Sequence, residues 1–219
     1  MVEGYSRHDL VRVDPTAWTA WLAGRPDLAG APHLDGWARL GRPLIVRRRT
    51  PGERGETVPL GLPLPPVDGK RRIGLALAPA LLSPMEAPDL AAAAGHAPTG
   101  WQPAINALVE IGRRHGITPR PFGALLWQAL TGLTYLSAHS DLDLLWPCAT
   151  GLPAGLLDEI GTVADTAPMG IDGEILLPDG AGLQWREVHD APEDGSVVAK
   201  SLDRVALVPA AALRAANRP

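Results

Sequence analysis

Residues 140–146 read Ser140-Asp141-Leu142-Asp143-Leu144-Leu145-Trp146, and their alternation decides the fold of the chain's second half. Polar and apolar positions repeat with period two, as in a half-buried strand. Asp141 and Asp143 then project from one face, one pleat apart, while Leu142 and Leu144 point into a core. Two carboxylates side by side repel each other unless something positive lies between them. A hard divalent ion, Mg²⁺ or Mn²⁺, held through carboxylates and substrate phosphates, is the usual answer.

The neighbours on either side extend this reading. Upstream, Phe122-Gly123-Ala124 ends a short apolar run and opens a helix expected over 123–131. Glycine lets backbone N–H groups approach a phosphate, and a helix N-terminus favours negative charge. The plain alternative is an ordinary strand-to-helix turn. Downstream, Ile171-Asp172-Gly173-Glu174-Ile175 repeats the acid pattern, so Asp172 and Glu174 share a face. Either is a candidate third carboxylate, and Asp172-Gly173 also reads as a turn pair. With Asp141 and Asp143, Glu174 completes the expected metal-binding set. Lys200, ending Val197-Val198-Ala199-Lys200, is a candidate for a triphosphate or a solvated lysine. Two basic clusters, Arg47-Arg48-Arg49 and Lys70-Arg71-Arg72, lie in the first part of the chain. Arg47, Lys70 and Arg71 are candidates for phosphates or an acidic carrier surface, and a solvated face explains them equally well.

The rest of the pattern gives an α+β chain. Strands are expected at 7–13, 43–48, 58–64 and 71–77, with a helix opened by Asp14-Pro15 and carrying Trp18, Trp21 and Leu22. This makes a small β-rich N-terminal domain, residues 1–80. Residues 81–100, rich in Ala, Pro and Gly, read as a linker with a short helix at 88–94. The second domain, 101–219, opens on a helix from Trp101 to His115. It continues strand, helix, strand, helix, strand, with a mixed sheet expected and further segments at 183–189, 197–200 and 204–208.

Composition excludes several classes. The formal net charge of −4 gives no electrostatic case for nucleic acid. No apolar run approaches the ~20 residues that span a bilayer, and the N-terminus has no hydrophobic signal region. The single cysteine, Cys148, rules out an internal disulfide framework and fits a cytoplasmic protein. No His spacing suits zinc, and there is no G-x-x-x-x-G-K-[ST] loop.

A family resemblance rests on RHDLV at 7–11, GRPLIVRRR at 41–49, VPLGLPLPP at 58–66 and GKRRI at 69–73. It extends through FGALLWQALTGLTYLSAHSDLDLLWP at 122–147, DGEILLPDG at 172–180 and the following Trp185-Arg186-Glu187. With these stretches the chain resembles the malonate decarboxylase holo-acyl-carrier-protein synthases, or phosphoribosyl-dephospho-CoA transferases, which are similar to nucleotidyltransferases. The resemblance implies a nucleotidyltransferase-like catalytic domain. It also implies a donor, 2′-(5″-triphosphoribosyl)-3′-dephospho-CoA, and an acceptor, a serine of the apo acyl-carrier subunit of malonate decarboxylase. Diphosphate is released. On this sequence it makes Asp141 and Asp143 the metal-binding pair, Asp172 or Glu174 the third acid, and Gly123 the phosphate turn. Members of the nucleotidyltransferase superfamily usually place Ser after that glycine. Ala124 removes one hydroxyl and leaves the backbone donors. Two other readings stay open from the residues: a nucleotidyltransferase using ATP on a small molecule, and a non-catalytic carrier-binding protein.

Overall fold

The computed structural model describes residues 4–53 and 55–215, and the chain divides into two compact units between Ala87 and Pro88. In the first unit, β1 (Leu10–Val13) leads to α1 (Pro15–Ala23), followed by β2 (Leu44–Val46), β3 (Val58–Pro63), β4 (Arg72–Leu77) and β5 (Leu82–Met85). They form one antiparallel sheet in the order β4-β3-β2-β1-β5. Asp14 caps α1 by accepting from the Ala17 amide at 2.8 Å, with Pro15 in the first turn, where its missing N–H costs nothing. Trp18 and Trp37 are buried, and each indole N–H finds a backbone oxygen, of Leu34 at 2.7 Å and of Pro43 at 2.9 Å.

Residues 81–100, expected as a linker, carry regular structure. Leu82–Met85 pairs with the whole of β1. Pro84 argues against a strand from sequence, but β5 is the edge of its sheet, where a missing amide donor is tolerated.

The second unit begins with α2 (Leu90–Ala93), α3 (Gln102–Arg114), β6 (Arg120–Phe122) and α4 (Gly123–Thr131). Then come β7 (Leu142–Pro147), α5 (Leu156–Ala164), β8 (Ile171–Leu176), β9 (Gly182–Gln184) and α6 (Trp185–Asp190). It ends with β10 (Ser196–Lys200), β11 (Val205–Pro209) and α7 (Ala210–Ala215). The six-stranded sheet runs β11-β10-β9-β8-β7-β6, with β7 and β8 parallel and every other pair antiparallel. A parallel pair needs a crossover, and α5 provides it. One face of the sheet presents Leu142, Leu144, Trp146, Ile171 and Ile175 to a core filled by Ile105, Leu108 and Ile111 of α3, Leu125 of α4 and Ile160 of α5. Each fully buried side chain of this size contributes roughly 1.5–3 kcal/mol. Cys148 lies in this core, and burial pushes its thiol up to about 12, so it packs rather than reacts. Among the described residues no helix is long and apolar enough to cross a membrane.

Candidate active site

The opposite face of the six-stranded sheet carries the acids. Strand register sets them in rows. Phe122, Asp143 and Asp172 are consecutive partners across β6, β7 and β8. One pleat on, Arg120, Leu145, Glu174 and Gln184 make the next row. Asp172, and not Glu174, is therefore the acid alongside Asp143. Asp141 stands just before β7, where the Leu142 amide donates to the Gly170 oxygen at 2.8 Å. Ser140 closes the turn ahead of it, its hydroxyl accepting from the Ser137 amide at 2.9 Å.

Both aspartates of β7's acid pair lie against a glycine. A Cβ on Gly123 would fall 2.0 Å from Asp143 Oδ2, and one on Gly170 would fall 2.2 Å from Asp141 Oδ1. No real side chain fits at such distances, so each glycine is the floor on which a carboxylate rests. Gly123 has φ of +69° and heads α4 directly after the extended Phe122, which offers no capping side chain. The helix begins where the sequence predicts it, with Ala124 at its second position and half-buried.

Asp172 is held from the side. Its Oδ1 accepts from the Gly173 amide at 2.7 Å and from Gln184 Nε2 at 2.8 Å. The same Gln184 uses its Oε1 to accept from the Glu187 amide at 2.7 Å and so caps α6. Lys200 lies on this face two strands from β8, in the row of Gly182. Gly170, Gln184 and Arg120 are residues that sequence reasoning missed. The one local signal, for Arg120 and Gly170, is period two: Arg120 precedes Phe122, and Gly170 precedes Asp172, by the spacing that governs the acids.

The basic candidates of the first unit fare differently. All five N–H groups of Arg47 are engaged there: with the oxygens of Leu60, Arg48 and Leu75, and with both carboxylate oxygens of Glu53 at 2.9 and 2.5 Å. Its guanidinium has no donor left for a phosphate, which corrects the expectation for Arg47. The same ion pair holds the Glu53 carboxyl down at about 2. Lys70 (φ +54°) and Arg71 are exposed on the β3–β4 connection, where Arg71 Nη2 reaches the Asp27 oxygen at 3.3 Å.

The donor set on the acid face is oxygen alone, which suits Mg²⁺ or Mn²⁺. Among the described residues no three or more His, Cys, Asp or Glu converge to hold a metal ion. The expected trio of Asp141, Asp143 and Glu174 is thus not gathered. The two aspartates seated on glycines fit an ion that keeps its remaining positions for substrate phosphates, and do not fit a closed protein cage.

A glycine-opened helix beside paired aspartates on a mixed sheet is the centre of this α+β unit, and the family of the chain makes it a group-transfer enzyme. Residues 88–211 match the model of the phosphoribosyl-dephospho-CoA transferase MdcG C-terminal domain, and residues 6–88 that of the MdcG N-terminal domain. The chain belongs to the phosphoribosyl-dephospho-CoA transferase family. It is 39% identical over 204 residues to the phosphoribosyl-dephospho-CoA transferase of Bradyrhizobium diazoefficiens, covering 92% of this chain and 89% of that one. Against the protein of the same name from Xanthomonas euvesicatoria it is 38% identical over 209 residues, 94% and 95% of the two chains. The Pseudomonas putida relative is 30% identical over 178 residues, 80% of each. No solved structure matches.

Proposed function

We propose that this protein transfers the 2′-(5″-phosphoribosyl)-3′-dephospho-CoA group from its triphosphate precursor to a serine hydroxyl of the apo acyl-carrier subunit of malonate decarboxylase. The reaction is placed in the cytoplasm. The seating of Asp141 and Asp143 on Gly170 and Gly123 is the observation that carries this reading, together with the family of the chain. The serine oxygen bonds to the α-phosphorus. The bond from that phosphorus to the bridging oxygen breaks, and the electron pair leaves with the diphosphate. Asp141 and Asp143 would hold Mg²⁺ or Mn²⁺, which when bound supplies positive charge to the phosphate oxygens. Asp172, its Oδ1 fixed by two N–H groups, presents Oδ2 to take the serine proton. Backbone N–H groups at the start of α4 would donate to the phosphate oxygens.

The test incubates the protein with MgCl₂, apo carrier and triphosphoribosyl-dephospho-CoA and reads the intact mass of the carrier. The carrier gains the mass of the prosthetic group, and diphosphate appears in equal amount. An unchanged carrier mass, or labelling from ATP in place of this donor, contradicts the proposal.

A further inference from the structure

Arg120 brings to the acid face a cation with a buried N–H that has no acceptor among the described residues. It projects beside Leu145 and, across the β6–β7 pair, lies diagonal to Asp143, within reach of a long side chain. It is half-buried, and its Nε is closed off from solvent. Yet Nε has no acceptor, and no hydrogen bond or ion pair to the Arg120 side chain is found among the described residues. A guanidinium N–H removed from water without a partner is costly. Arg47, by contrast, has every guanidinium N–H engaged. An unpaired guanidinium beside a face of carboxylates is arranged to meet an anion that arrives with its own acceptor oxygens. Planar, bidentate recognition of phosphate is what guanidinium does best.

We propose that Arg120 binds the phosphates of the donor that leave as diphosphate. This rests on the transfer reading above and adds a residue to it. A cation one pleat from Asp143 holds polyphosphate charge in the ground state and keeps the departing diphosphate in place.

The experiment titrates inorganic diphosphate, in buffer with MgCl₂, into the wild-type protein and into Arg120→Gln and Arg120→Met, and follows each thermal transition. Both variants weaken diphosphate binding at least about tenfold. Arg120→Met, which removes the unpaired donors and keeps an unbranched apolar stem, melts at the same temperature or higher. Dephospho-CoA, which lacks the triphosphate, binds all three proteins alike. Diphosphate binding that is unchanged in the variants, or absent from the wild type, overturns the proposal. So does a fall in melting temperature of more than about 5 °C in Arg120→Met, the mark of a structural arginine. Diphosphate binding that depends on Arg120 in a protein that leaves the carrier unmodified retains the phosphate ligand and rejects the transfer reading.

Discussion

The two sheets use one device to opposite ends. In each, a charged side chain lies across glycine. In the first unit the Arg47 guanidinium covers Gly74, and its stem passes Gly61; a Cβ on Gly74 would stand 3.5 Å from Arg47 Nη2 and one on Gly61 3.9 Å from Arg47 Cδ, ordinary contact distances. Every donor of that arginine is satisfied, so the group locks strands together. In the second unit the carboxylates of Asp141 and Asp143 press on Gly170 and Gly123 at distances no Cβ tolerates. There each glycine sets the position of the carboxylate that lies on it.

The sharpest way to break this contrast is to remove a charge from the acid face. Asp141→Asn or Asp143→Asn folds with an unchanged melting temperature and loses transfer by about a thousandfold or more, read by carrier mass against time. Near-full activity would refute the assignment. A smaller loss follows from raising the floor. Gly170→Ala pushes only the end of the Asp141 side chain, so transfer falls by about a hundredfold with little change in stability. Gly123→Ala carries the same displacement of Asp143 and adds the strain of its positive φ, about 1 kcal/mol, visible in denaturant unfolding. On the structural side, the Glu53 carboxyl titrates near 2 in the folded protein, below its ordinary 4.5. The stabilisation from its pairing with Arg47 is therefore whole above about pH 4.5 and is lost as the pH falls towards 2. Glu53→Gln costs about 2 kcal/mol at neutral pH and removes that component of the acid dependence, measured by unfolding at several pH values. Least of all, Gly74→Ala changes stability by less than about 0.5 kcal/mol, because its Cβ meets Arg47 at an ordinary distance.

Local pattern made much of this legible. The alternation at 140–146 places β7 and its two faces, and Gly123 marks the first residue of α4. Pro84 hid β5 because a propensity argument does not know which strand is the edge. The stretch 183–189 gave no clear type because it splits: Gln184 ends β9 and caps α6 with one side chain. The choice between Asp172 and Glu174 is a matter of register across a parallel pair, fixed by a crossover and invisible to any window along the chain. Arg47 looked like a phosphate ligand because its partners, Glu53, Leu60 and Leu75, are brought to it only by pairing of β2, β3 and β4 and the loop between them.

Gln184 has a consequence beyond its own two bonds. Its amide is asymmetric, nitrogen towards Asp172 and oxygen towards the Glu187 amide, so turning it over would break both contacts at once. The starting point of α6 and the aim of a carboxylate are thereby a single mechanical variable. Moving that helix start and re-aiming that carboxylate would both require the same side chain to let go.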